Sequence, residues 1–138
     1  MNLENKKNNC AEKNQSVRLS FDEILLRTKT QIEYQSLREQ NAGQAEGQLK
    51  EICFIISEIY LFYPDDRIKI AGELLPAHAV QEIFGQLTAE HIEMVLNNFS
   101  RQTHLIKNKK AYLRTALYNS VFEFESDVAN TVNHILHS

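Results

Sequence analysis

The sequence predicts a mainly α fold: a compact domain of about six helices with one short β-hairpin near residues 67–75. Three observations carry this expectation. Apolar residues return at i, i+3, i+4 and i+7 in several segments, the period of a helix packed on one face. Ser20, Thr88 and Asn108 stand where such segments need an N-cap. Four glycines and two prolines in 138 residues are too few turn residues for a loop-rich all-β chain.

Residues 1–18, "MNLENKKNNCAEKNQSVR", hold too little apolar surface to offset the entropy of ordering them, and they read as a flexible tail or linker remnant. The folded domain is expected over 19–138. A domain of this size buries roughly 68% of its unfolded surface, enough for a core without staples.

Ser20 and Glu23 have the S-x-x-E spacing of a capping box, with Leu19 and Ile24 as the hydrophobic staple. A helix of two to three turns follows. The stretch "IEYQSLREQNAGQAEG" reads as irregular. "QLKEICFIISEIYLFY" is the strongest helix, with Leu49, Ile52, Cys53, Ile56, Ile59, Tyr60 and Tyr63 on one face. Phe54, Ile55, Leu61 and Phe62 fill most of the remaining circumference, leaving Lys50, Glu51, Ser57 and Glu58 as the polar stripe. A helix apolar nearly all round belongs at the centre of a bundle.

Pro64 closes that helix, and Asp65 and Asp66 beside it read as turn residues. "RIKI" and "ELL" then make two short strands around the bend Ala71–Gly72. A lone hairpin is marginal, so it must rest on helices. Pro76 suits the first turn of a helix whose apolar face is Val80, Ile83, Phe84 and Leu87. Thr88 caps the next helix, with Ile92, Val95, Leu96 and Phe99 facing the core. Asn108 caps a helix that buries Leu113, Ala116, Leu117 and Val121. Ser126 is expected to start a last helix burying Val128, Val132, Ile135 and Leu136.

Catalytic signatures are scarce. The four glycines, Gly43, Gly47, Gly72 and Gly85, are isolated and form no phosphate loop. His134 and His137 lack further ligands nearby in sequence and read as surface histidines, and Cys10 and Cys53 are too few for the usual metal site. Cys53 reads as a small buried hydrophobe. No cofactor, metal or enzymatic activity is expected. The N-terminus lacks an apolar signal region and no apolar run reaches the ~20 residues that span a bilayer, so a cytoplasmic protein without membrane contact is expected.

One segment stands out. The net charge is −3, yet no acidic residue lies between Met94 and Phe122. That stretch holds Arg101, Lys107, Lys109, Lys110 and Arg114, with His104 nearby. Lys109 and Lys110 fall in a first helical turn, where a cation costs about 0.3–1 kcal/mol against the macrodipole. Lysines beside free helix N-terminal amides suit an anion such as phosphate. Lys110, Arg114 and Tyr118, at i, i+4 and i+8, are expected on the side away from the core. The plain alternative is a solvated lysine face. Tyr112 and Tyr118 have rings that can stack on bases, although Tyr112, beside Leu113, reads first as packing.

"QIEYQSL", "DRIKIAGELLPAHAVQEIF", "LTAEHIEMVLNNF" and "IKNKKAYLRTALYNS" together resemble the C-terminal domain of plasmid replication initiator A proteins of low-GC Gram-positive bacteria. The likeness covers about residues 28–136 with the same motif order. Its most specific pieces lie at Ile68–Pro76 and Lys110–Asn119. The resemblance implies a helical module similar to the C-terminal domain of the primosome protein DnaD. Such a module binds DNA weakly and without sequence preference, and contacts host replication proteins: primase, helicase or helicase loader. In DnaD-like domains a tyrosine-containing final helix is linked to DNA contact, and Tyr112 and Asn119 occupy the comparable places. Full-length initiators carry an N-terminal winged-helix domain that binds origin repeats. Residues 1–18 resemble the linker that follows it, so an excised domain or a stand-alone homologue is expected. The function implied is replication initiation on a plasmid or mobile element, by a binding module. A nucleic-acid-binding regulator unrelated to replication is the other reading.

Overall fold

The computed structural model describes residues 19–41 and 43–137, with side chains as far as Glu123 except those of Gln44 and Thr103. The first helix, α1 (Phe21–Gln31), begins as its sequence demands. The Glu23 amide donates to Ser20 Oγ at 3.2 Å, and the Ser20 amide donates back to Glu23 Oε1 at 3.0 Å. That reciprocal bond holds the Glu23 carboxyl below its usual range.

The stretch expected to be irregular is mostly helical. After Ile32, Glu33 takes a left-handed φ of 55° and turns the chain into α2 (Tyr34–Gln40). Leu37 is the only buried residue of α2, so no apolar period announces it. Asn41 Nδ2 closes it on Leu37 O at 2.8 Å. Helix α3 (Gln44–Ile59) starts at Gly43, where φ is 91°, one turn earlier than its apolar pattern.

Helix α3 touches every other α-helix among the described residues, as a central helix must. Leu49, Ile52, Cys53, Ile55, Ile56 and Ile59 are all buried. Ser57, expected in the polar stripe, is buried too. Its hydroxyl donates to Cys53 O at 2.9 Å and lies 3.1 Å from Thr28 Oγ1, which satisfies it locally. The helix also stops four residues short of the expected Tyr63, which is 59% exposed. Pro64 disfavours helix in the residue before it. Gln81 Nε2 meanwhile caps the freed carbonyls of Ile59 and Phe62 at 3.0 and 2.9 Å.

The hairpin forms as expected. Strands β1 (Arg67–Ile70) and β2 (Glu73–Pro76) pair antiparallel, Ile70 opposite Glu73. The two turn residues, Ala71 and Gly72, have φ of 53° and 86°, the positive pair that a two-residue hairpin loop requires. Ile68 and Ile70 are buried, so the hairpin packs against the bundle.

Pro76 is the N-cap of α4 (Ala77–Phe84), one residue outside its first turn. Thr88 caps α5 (Ala89–Arg101), aided by a partner the motif did not suggest: the Thr88 amide donates to His91 Nδ1 at 2.9 Å. Val80, Phe84, Leu87, Ile92, Val95, Leu96 and Phe99 join the core. A single turn of 3-10 helix (Thr103–Leu105) leads to α6 (Lys109–His137), where Asn108 Oδ1 accepts from the Ala111 amide at 3.0 Å. Helix α6 runs unbroken for 29 residues, so no new helix starts at Ser126. Neither glycine nor proline interrupts that span, and a serine alone does not stop a helix. Leu113, Leu117 and Val121 are buried. The expected burial of Val128, Val132, Ile135 and Leu136, the histidines 134 and 137, and the reading of residues 1–18 lie outside the described side chains. No helix among the described residues is long and apolar enough to cross a membrane.

Candidate nucleic-acid interface

The cations of the acid-free stretch fall into two groups by what they touch. Arg101 ends α5, Lys107 precedes α6, and Lys109 sits in its first turn; all three are exposed. Gln102 Nε2 donates to Tyr112 Oη at 2.8 Å, which clamps the end of α5 to the start of α6. Tyr112 also packs its ring on Phe99, with centroids 5.8 Å apart and planes tilted by 37°. Arg101, Lys107 and Lys109 flank the junction that this clamp closes. No acidic residue occupies the first turn of α6, so its positive dipole end adds to theirs.

Lys110 and Arg114 form the second group, and both are engaged with the body of the fold. Lys110 Nζ pairs with Glu58 of α3 at 2.8 Å. The segment without carboxylates in sequence therefore meets one in space. Arg114 is half-buried, and its Nε is shielded without a hydrogen-bond partner. Tyr118 is half-buried as well and stacks at a tilt on Phe122, with centroids at 5.5 Å. The stripe Lys110–Arg114–Tyr118 thus runs along the edge of the core rather than opposite it.

Tyr112 and Asn119 share a cleft of about 220 Å³ between α5 and α6, with Met94, Asn98, Gln102, Thr115 and Glu123 among its walls. Thr115 Oγ1 accepts from the Ala71 amide at 3.1 Å and so ties the hairpin turn to α6. Tyr112 is half-buried, and its ring and its hydroxyl both hold α6 against α5. Among the described residues no three His, Cys, Asp or Glu side chains come together as a metal site.

Sequence reasoning missed a larger groove of about 680 Å³, walled by Leu19, Ile24, Arg27, Tyr60, Phe62 and Tyr63. Tyr60 donates to Gln81 O at 3.3 Å, and burial pushes its hydroxyl up to about pKa 12. The side-chain amides at the groove, Gln31 and Gln81, spend their donors on the ends of neighbouring helices. The aromatic run Tyr60–Phe62–Tyr63 before Pro64 is its only trace in sequence, and that run reads equally as a helix face.

A family model described as a family of unknown function (DUF6017) matches residues 5–138. No curated protein and no solved structure matches the chain.

Proposed function

We propose that this chain, which belongs to the DUF6017 family, is a non-enzymatic module of plasmid or mobile-element replication initiation. It recruits host replication proteins, and it holds nucleic-acid backbone weakly without reading sequence. The setting is the cytoplasm. The motifs at Ile68–Pro76 and Lys110–Asn119 supply the replication context through their likeness to initiator C-terminal domains.

The observation that carries the binding role is that Arg101, Lys107 and Lys109 are all exposed beside the α5–α6 junction that the Gln102–Tyr112 bond closes. Lys107 and Lys109 lie at the N-terminal end of α6, where cations act against the helix dipole, and a bound polyanion offsets that cost; Arg101, at the C-terminal end of α5, adds a third exposed cation. Contacts of this kind position a backbone but carry no sequence information. The same junction steers acidic protein surfaces towards it. Tyr112 and Asn119 serve by shaping the α5–α6 junction.

The recruitment half is tested by titrating the immobilised chain with purified host primase, helicase and helicase loader. Saturable binding to at least one, weakened by salt and by alanine at positions 101, 107 and 109, is expected. Absence of binding to all three at low salt overturns recruitment through this junction.

A further inference from the structure

We propose that the groove between α1 and the Tyr60–Pro64 turn binds an extended segment of a partner protein in which an acidic residue stands beside large apolar ones. Ile24, Arg27, Thr28 and Gln31 follow i, i+3, i+4 and i+7 on α1 and form one wall. Tyr60, Phe62 and Tyr63 supply aromatic wall, and Gln81 joins from α4. At about 680 Å³ the groove falls in the range of sites that take a ligand, roughly 300–1,000 Å³. No residue that flanks the α5–α6 junction lines it, so the inference stands apart from the polyanion reading.

The polar groups choose the occupant. Arg27 is the only charged side chain in the walls, and it is exposed. It has no ion pair among the described residues, and Glu23 one turn back is spent on the Ser20 amide. Gln31 Nε2 donates to the carbonyls of Phe84 and Leu87, and Gln81 Nε2 to those of Ile59 and Phe62. Each amide has both hydrogens committed, so its Oε1 can only accept. Neither oxygen is buried without a partner, since among the described side chains only Arg114 Nε is. The groove therefore offers apolar walls, acceptors and one cation. A protein segment answers all three, with apolar side chains, backbone N–H groups and a carboxylate. Arg27 and Gln31 lie one turn apart, about 6 Å along the axis, which is the length of two extended residues. Chain termini are captured by nests of backbone amides, whereas α1 offers only side chains here, so the carboxylate is that of an aspartate or glutamate. A nucleic-acid strand fits poorly, because acceptors and a single cation would face its repeating phosphates.

The test is an NMR titration of the full chain with a short peptide, blocked at both ends, that carries leucine and phenylalanine beside one glutamate. Saturable amide shifts at Arg27, Gln31, Tyr63 and Gln81 are expected, with a Kd below about 1 mM. Lysine in place of the peptide's glutamate, or Arg27→Glu in the protein, should weaken binding by about tenfold or more. The two changes combined restore opposite charges and should bring affinity back to within about threefold of the original pair. Circular dichroism monitors folding. If Arg27→Glu does not fold, the exposed Tyr63→Ala decides: a loss of about fivefold or more supports the site, and unchanged affinity overturns it. Equal affinity for the glutamate and lysine peptides, no saturable shift at the groove, or shifts at Lys107 and Lys109 instead, also overturns it. Groove resonances that move on deletion of residues 1–18 but not with the peptide would give the groove to the chain's own leader and overturn the proposal.

Discussion

Gln102 and Tyr112, ten residues apart in the chain, meet across 2.8 Å, and their bond joins the last turn of α5 to the first turn of α6. Tyr112→Phe removes the bond and keeps the ring on Phe99. Stability should fall by about 0.5–1.5 kcal/mol, the usual worth of one such bond. Urea denaturation measures it. A midpoint equal to wild type would mean that ring packing alone holds the junction.

Ile56 lies at the centre of α3 with no exposed surface. Ile56→Ala should cost about 2–5 kcal/mol, through lost burial and the cavity left behind. Chemical denaturation reads it directly, and a loss under about 1 kcal/mol would contradict a close-packed central helix.

Ala71 holds a φ of 53° in the hairpin turn. An L-residue in that region is strained by about 1–2 kcal/mol, whereas glycine is not. Glycine gives back part of the difference through its freer unfolded chain, about 0.4–1 kcal/mol. Ala71→Gly should therefore stabilise the protein by roughly 0.5–1 kcal/mol, seen as a higher thermal midpoint. A lower midpoint would mean that the turn relaxes differently.

Burial pushes the Cys53 thiol from 9.0 up to about 11. The folded state thus holds this proton more tightly than the unfolded chain. The resulting contribution is fully present below pH 9 and is lost as pH rises through 11. Stability should decline across that window, and Cys53→Ala should flatten the decline while lowering stability at neutral pH. Denaturant midpoints against pH for both proteins test this. Parallel curves would assign the alkaline loss to other groups, Tyr60 first among them.

The fold was legible where local chemistry decides it. Ser20 with Glu23, Thr88 and Asn108 mark helix starts because a side-chain cap acts within three residues. Ala71–Gly72 between two short apolar runs marks the hairpin. Helix α2 was not legible, since a single anchor, Leu37, has no period. The end of α3 was missed because its cap is Gln81, about twenty residues further on. Ser57 looked solvated, yet Thr28 lies across from it inside the core. The basic face was legible in composition only. Which cations are free depends on Glu58, 52 residues before Lys110, and on the Gln102–Tyr112 clamp. Neither contact leaves a mark in local sequence.

The most direct test of the binding face is a salt series of DNA binding for wild type and for the triple variant Arg101→Ala, Lys107→Ala, Lys109→Ala. With roughly three phosphates contacted, the log–log slope should be about −2 on single strands and about −3 on duplex, whatever the sequence. The triple variant should lose most of that slope with its circular dichroism unchanged. Lys110→Ala should stay close to wild type in slope, since Glu58 already pairs that lysine. Equal slopes for wild type and triple variant, or no wild-type binding at low salt, would contradict the proposal that this junction holds nucleic acid.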